Sequence, residues 1–232
     1  MPPPPPSTAV AAVLQQLESL LPRLATLSHH EQFHARVLTL GLLGSHPPLR
    51  ARFLDRLALS PHAAALPHAL RLLRSLPSPA TNDLNAALRG LAASPQPARC
   101  LLLLAGRLHP ATAPAGAPPR PLLDALSLSF ALKATARCSD AFATLQLHAI
   151  LVRLGVAADV RLMTTLLDSY AKCGDLPSAR KVFDEMPVRD VATWNALLAG
   201  LRRGWSRTSR WRCSAGWQGA TGNCCQGRRQ MR

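Results

Sequence analysis

An internal repeat constrains the fold of this chain more than any other feature of its sequence. The stretch LPHALRLLRSLP at residues 66–77 returns as LPSARKVFDEMP at residues 176–187, with Leu, Pro, Ala and the closing Pro in the same places. A second pair, LNAALRGL at 84–91 and WNALLAGL at 194–201, has the same offset of 110 residues. Because recurrence over this length is typical of stacked supersecondary units, we expect a repeat architecture rather than one compact core.

Each unit has the pattern of two helices joined by a tight turn. In residues 160–187 the apolar residues recur at spacings of three and four, which predicts amphipathic helices. Cys173, Gly174 and Asp175 mark the turn between them, since Gly suits a helix C-terminus and Asp caps the next helix. The sequence therefore predicts an all-α fold, an α-solenoid of stacked antiparallel helix-turn-helix repeats.

Composition agrees with a helical fold and excludes several classes of function. Aromatic residues make up only 4% of the 232 residues, and apolar residues make up 48%. No apolar run reaches the roughly 18 residues of a membrane helix, so no membrane partner is expected. Six cysteines occur without a C-x-x-C pair, which argues against a zinc site or a disulfide framework. We find no carboxylate pair, no nucleophile–base set and no phosphate loop, and expect neither an enzyme, a cofactor, a metal nor a small-molecule substrate.

The charge of the chain is strongly basic and unevenly distributed. The formal net charge is +15, and residues 201–232 hold eight Arg and no acidic residue. The first 200 residues keep a net charge of +7. Such a body suits a polyanionic partner, although a basic surface that only maintains solubility accounts for the charge equally well.

One segment carries a family resemblance. Residues 166–200, LLDSYAKCGDLPSARKVFDEMPVRDVATWNALLAG, resemble the pentatricopeptide repeat proteins of plants, in particular the type with alternating P, L and S repeats. The resemblance extends over most of residues 11–203. It implies a right-handed superhelix that binds single-stranded RNA in an organelle, with one base to each repeat.

The repeat register divides the chain into consecutive segments. We expect a Pro-rich N-terminal segment at 1–10, an L-like unit at 11–46, an S-like unit at 47–80, a P-like unit at 81–124, an L unit at 125–159, an S unit at 160–190, a truncated P unit at 191–203 and a basic disordered tail at 204–232. A Pro-rich insertion at 109–121 is interpreted as a loop between stacked units, with an interdomain linker as the alternative. The tail is interpreted as the end of a truncated array, with a basic RNA-binding tail as the alternative.

The resemblance also implies which side chains face the bases. In this family the fifth and the last residue of a unit carry the choice of base. The positions that match are Asn85 with Asp124, Ser129 with Asp159, Thr164 with Asp190, and Asn195 without a last residue. By the same analogy these pairs favour uridine, weakly a purine, guanosine and a pyrimidine, in that order. The unit at 47–80 offers only Ala51 and Ala80, which have nothing to read a base with.

A purely structural interpretation of these side chains stays open at this point. Asn85 and Asn195 precede helical segments and suit N-caps. Thr164 is an ordinary helix residue in this interpretation, and Asp190 is a capping or turn residue.

The resemblance implies the targeting part of an RNA-modification system. Relatives with P, L and S repeats specify sites of cytidine-to-uridine editing, or other organelle RNA processing, in the mitochondrion or the plastid, with the mitochondrion preferred here. Because no deaminase-like region is present, the chain needs a catalytic partner in trans for that role. The alternatives are a protein-binding helical-repeat adaptor and a truncated fragment without function.

Overall fold

The described part of the chain is built of helices. The computed structural model describes residues 8–108 and 123–215, which contain no β-strand. The α-helices are α1 (Thr8–Leu20), α2 (Leu27–Thr39), α3 (Leu42–Ser45), α4 (Pro47–Ala58), α5 (Ala65–Ser75), α6 (Thr81–Ala93), α7 (Ala98–Leu108), α8 (Ala125–Cys138), α9 (Ala141–Arg153), α10 (Val160–Cys173), α11 (Leu176–Glu185) and α12 (Val191–Ala215). None of these described helices combines the length and the apolar character needed to cross a membrane.

The helices stack in two layers. The first helices of successive pairs pack on one another in the order α4, α6, α8, α10 and α12. The second helices α5, α7, α9 and α11 each pack against the first helix of their own pair. This arrangement is an α-solenoid, and it confirms the all-α repeat fold predicted from the sequence.

The helix boundaries follow local signals that repeat along the chain. Five first helices begin at Pro47, Thr81, Ala125, Val160 and Val191, which are the residues at which the sequence units begin. Ahead of α8 and α11, an aspartate side chain accepts a hydrogen bond from a backbone N–H in the first turn of the helix. Because these acceptors satisfy amides that have no partner within the helix, they fix where each helix starts.

Glycines in the left-handed conformation end three of the helical segments. Gly41 and Gly155 have φ of +67°, and Gly174 has φ of +90°. The first two close the segments QFHARVLTLG and QLHAILVRLG, which resemble each other 114 residues apart. The recurrence of this glycine has a steric cause, since other residues adopt the left-handed region only at a cost.

A further pair of matching glycines marks close helix contacts. A Cβ atom built on Gly90 of α6 would lie 2.6 Å from Cβ and 2.7 Å from the carbonyl oxygen of Ala58 in α4. A Cβ atom on Gly200 of α12 would lie 2.6 Å from Cβ of Ala171 in α10. The offset of 110 residues in the sequence therefore corresponds to two equivalent helix crossings in the solenoid.

The apolar core runs along the stack. One group of buried side chains surrounds Phe53 and Leu57 of α4, and a second extends from α5 to α12 around Leu132 and Tyr170. Leu66 packs against both groups. Burial is thus shared between neighbouring pairs, because one helical hairpin alone could not cover its apolar face.

A buried ion pair joins the helix pair that begins with α4 to the pair that begins with α6. Arg50 of α4 and Asp83 of α6 lie 2.6 Å apart, with side chains that are 5% and 0% exposed. Arg50 also donates to the carbonyl oxygen of Leu43, at 2.8 Å, and Asp83 accepts from the backbone N–H of Ala80, at 2.8 Å. The pair therefore joins α3, α4 and the start of α6.

The two ends of the described region differ from the sequence prediction. Helix α12 continues to Ala215, whereas we expected the helical unit to end at 203 and disorder from residue 204. From 204 to 215 the chain contains no proline, and its three arginines are good helix formers, so the helix continues past Gly204. Helix α1 begins at Thr8, inside the predicted Pro-rich segment 1–10. The insertion at 109–121 and residues 216–232 of the predicted tail lie outside the described residues.

Three histidines lie close together between α2 and α5. His68 Nε2 of α5 is 3.0 Å from His34 Nδ1 of α2, and His30 is almost fully buried one turn before His34. Burial is the main cause that lowers the pKa of all three imidazoles below 6.5. Arg71 lowers the pKa of His68 further, and Glu31 opposes this effect. The cluster is therefore neutral in the folded protein near neutral pH.

We expect this cluster to make the protein less stable in mild acid. A histidine whose pKa is lowered by folding binds its proton more strongly in the unfolded chain, so stability falls as the pH drops below about 6.5. Urea unfolding at about pH 7.5 and about pH 5.5 measures the effect. The double variant His34→Gln/His68→Gln should show a flatter dependence, whereas His29→Gln, on an exposed histidine, should behave like the unaltered chain. Equal pH dependence in all three proteins would contradict the prediction.

Candidate nucleic-acid interface

The first helices of the pairs line one continuous face with two clefts. The first cleft, of about 370 Å³, lies where α4, α6 and α8 meet, and Ala51, Asn85 and Leu126 are among its lining residues. The second, of about 690 Å³, lies between α6, α8, α10 and α12, and Thr164 is among its lining residues. Two of the sequence-predicted side chains thus line open clefts on this face.

A polar relay connects the units at 81–124 and 125–159. Asn85 Nδ2 donates to both carboxylate oxygens of Asp124, at 3.1 and 2.9 Å. Ser127 donates from its hydroxyl to Asn85 Oδ1, at 2.5 Å, or to Asp124 Oδ1, at 2.9 Å. Ser127 is fully buried and Asn85 is 7% exposed, so the orientation of the amide is fixed by its neighbours.

An equivalent relay connects the units at 160–190 and 191–203. Thr164 Oγ1 lies 2.7 Å from Thr193 Oγ1, which donates to Asp190 Oδ1 at 2.7 Å. Thr164 Oγ1 is also 2.8 Å from the carbonyl oxygen of Val160. Because Thr193 uses its one proton on Asp190, the single proton of Thr164 goes either to Thr193 or to Val160. These hydrogen bonds from Thr193 hold the pKa of Asp190 below its usual value.

The unit at 125–159 has no such relay. The side chain of its fifth residue, Ser129, makes no hydrogen bond with the part of the chain that the structure describes, and the buried Leu162 stands where Ser127 and Thr193 stand at the other junctions. The carboxylate of Asp159 accepts only from the backbone N–H groups of Arg161 and Leu162, at 2.9 and 3.3 Å. Ser129 and Asp159 are therefore not brought together by hydrogen bonds.

The positions of the two asparagines exclude the capping interpretation. Helix α6 begins at Thr81 and α12 begins at Val191, each four residues before its asparagine. Asn85 instead bonds to Asp124, and Asn195 is exposed. Capping is the correct local role for the aspartates: the backbone N–H of Thr193 donates to Asp190, at 2.7 Å.

Positive charge accompanies the second cleft. Its lining includes Arg89, Lys133, Arg137 and Lys172, against the one carboxylate of Asp168.

Three of these four cations have partners in the described region. Arg89 pairs with Asp55 at 3.2 Å, and Lys172 pairs with Asp168 at 2.5 Å. Arg137 donates to the carbonyl oxygen of Ala92. Lys133 has no carboxylate partner in the described region, which leaves the cleft with a net positive charge suited to a polyanion.

The polar and basic residues outside the fifth and last positions were missed by the sequence analysis. Ser127 and Thr193 are each the third residue of a unit, and they lie 66 residues apart. The third residues of successive units are Asp83, Ser127, Leu162 and Thr193. A comparison of these positions would have shown that a hydroxyl residue occurs at every second unit. The role of the third residue depends on contact with the preceding unit, and the spacing of apolar residues does not contain that information.

Stacked helix pairs whose first helices share one grooved, basic face define a helical-repeat protein. A family model described as PPR repeat matches residues 162–191 of this chain. The pentatricopeptide repeat-containing protein OGR1, mitochondrial, of Oryza sativa subsp. japonica is 78% identical over 196 residues, which are 84% of this chain and 32% of that protein. The pentatricopeptide repeat-containing protein At1g34160 of Arabidopsis thaliana is 43% identical over 188 residues, which are 81% of this chain and 32% of that protein. The chain belongs to the pentatricopeptide repeat family, and it spans about a third of the length of these two relatives.

Proposed function

We propose that this chain binds single-stranded RNA along the face of its first helices, with one base facing each unit. The observation that carries the proposal is the recurrence of one polar relay at two junctions. In each relay the fifth residue of a unit lies at the edge of a cleft. It is held in place by the last residue of its own unit and the third residue of the next unit. Proteins of this family generally bind RNA in organelles, which supports the assignment.

The proposed reading positions are those expected from the sequence. Asn85 with Asp124 and Thr164 with Asp190 have the rigid geometry that discrimination between base edges requires. Ser129 with Asp159 has one hydroxyl that no other side chain orients, so we propose weak discrimination there. Asn195, which is exposed, reads without a partner at the last position.

The proposed biological role is the targeting of RNA modification or other RNA processing in mitochondria. The rice relative carries the word mitochondrial in its name, which supports this organelle over the plastid. In this proposal the chain supplies no catalytic group, and a partner in trans carries out any cytidine-to-uridine conversion.

Filter binding with the whole chain tests the proposal. Single-stranded RNA should bind with an affinity that falls steeply as salt rises, because phosphate contacts release counterions. A duplex RNA of the same sequence is the matched control and should bind more weakly, since its base edges are paired. Equal binding of duplex and single-stranded RNA would mean that the interface is only a nonspecific basic surface. Absence of RNA binding at low salt would favour the protein-binding adaptor.

We expect Thr164→Asn to change the preferred base at one position. The substitution replaces a hydroxyl with an amide, so the preference should move from guanosine towards uridine by about 1–2 kcal/mol, the size of an ordinary base-edge contact. The test uses residues 160–193, which include Thr193 of the relay, grafted into a longer repeat array, and it measures affinity for RNAs that differ at the facing nucleotide.

Thr165→Asn is the matched control for this graft. Thr165 is adjacent to Thr164, and its hydroxyl donates only to the carbonyl oxygen of Arg161, at 2.9 Å. Its substitution should leave the base preference unchanged. If both variants keep the preference of the unaltered unit, Thr164 does not read the base.

A further inference from the structure

One aromatic ring occupies a central place on the proposed RNA-binding face. Phe130 of α8 lines the cleft beside Asn85 and also the cleft beside Thr164. Its side chain is partly exposed, whereas Phe33 and Phe53 are buried in the core. Phe130 therefore stands between the two polar relays, at the boundary of the two clefts.

The unit that carries Phe130 also has no relay. The Ser129 side chain has no hydrogen-bonded partner among the described residues, and Leu162 replaces the polar third residue. Any base that faces this unit meets one hydroxyl and an aromatic ring. Hydrogen-bond discrimination is weak there, but the ring offers a surface on which any base can stack.

A cation accompanies the ring. Lys133 Nζ lies 5.5 Å from the centroid of Phe130 and has no carboxylate partner in the described region. Arg89 and Arg137 line the same cleft. An aromatic surface beside a basic groove is the arrangement by which proteins hold single-stranded nucleic acid regardless of its sequence.

We propose that Phe130 is a stacking platform for the RNA base that faces the unit at 125–159, and that Lys133 holds an adjacent phosphate. This inference rests on the proposed function. It assigns affinity without base choice to the middle unit, between two units that discriminate. The partner is an unpaired nucleotide, recognised by its π-face rather than by its edge.

The whole chain with Phe130→Leu tests the inference. Leucine keeps the apolar packing of Phe130 against the core but removes the π-surface. Binding of fluorescein-labelled oligo(U) and oligo(A) should weaken by the same factor, roughly fivefold or more, as expected for loss of one stacked base. Phe130→Tyr should restore binding, because tyrosine keeps the ring.

The outcomes separate this inference from the proposed function. If the unaltered chain binds neither oligonucleotide, the RNA-binding proposal itself fails. If it binds and Phe130→Leu binds equally well, Phe130 is only a packing residue. A loss confined to one oligonucleotide would show base selection and would overturn the stacking role.

A second measurement uses the unaltered chain and so does not depend on the folding of a variant. Oligo(U) that carries 5-iodouridine crosslinks to an aromatic ring in contact with the base, and mass spectrometry of the digested complex locates the crosslink. We expect modification at Phe130. Crosslinks found exclusively at other residues of a chain that binds the probe would overturn the inference.

Discussion

Replacement of Arg50 by alanine should lower the free energy of unfolding by about 3–5 kcal/mol. The side chain of Asp83 is fully buried, and its only cationic neighbour at salt-bridge distance in the described region is Arg50, at 2.6 Å. Loss of the guanidinium would leave a carboxylate uncompensated in an apolar environment, which is among the most destabilising single changes in a protein. The carbonyl oxygen of Leu43 would lose its donor as well. Urea unfolding followed by circular dichroism measures the effect.

Arg89→Ala is the matched control for Arg50→Ala. Arg89 pairs with Asp55 at 3.2 Å, but its side chain is 50% exposed, so water replaces the lost interaction. The expected loss is about 0.2–1 kcal/mol. The double variant Arg50→Met/Asp83→Leu should recover much of the stability, because it removes both buried charges together. Equal effects of Arg50→Ala and Arg89→Ala would contradict the assignment of the buried pair.

Gly90→Ala should destabilise the protein by about 1–3 kcal/mol, although alanine is the better helix former. In an open helix this substitution stabilises by up to about 1 kcal/mol. At Gly90 the added methyl group would meet the backbone carbonyl oxygen of Ala58 at 2.7 Å, so α4 and α6 must move apart. Thermal unfolding measures the shift.

Gly106 provides the opposite case within the same chain. It lies in α7, and a Cβ atom built on it meets nothing within 4 Å. Gly106→Ala should therefore leave stability unchanged or raise it slightly. If Gly90→Ala also raised stability, the close crossing of α4 and α6 would be wrong.

The sequence predicted the helix pairs well because their signals are local. Asp175 and Gly174 act within one turn of the helices they bound, and the spacing of apolar residues in 160–187 needs no knowledge of distant contacts. The end of α12 was predicted too early. The stretch after 203 has no apolar periodicity, but it contains no proline and three arginines, which are good helix formers, and the helix continues through it.

The candidate site was predictable only in part, for a related reason. Asn85 and Asp124 were paired through the family resemblance, and the structure places them in direct hydrogen-bond contact across 39 residues of chain. The contribution of Ser127 depends on how α8 packs against α6, which no local pattern reveals. Ser129 and Asp159 occupy the same sequence positions as Asn85 and Asp124 but are not joined by a hydrogen bond, and Leu162 at the third position has no hydroxyl to bridge them.

The spacing of the two relays limits how specifically the chain can select one RNA site among many. Suppose that Asn85 and Thr164 each select one base and that Phe130 between them accepts any base. The middle of the bound RNA is then one selected nucleotide, one unselected nucleotide and a second selected nucleotide. So short a pattern recurs many times by chance in any transcript of ordinary length. Point mutations at the RNA nucleotide that faces Phe130 would leave recognition intact, so target sites could change at that nucleotide without a compensating change in the protein.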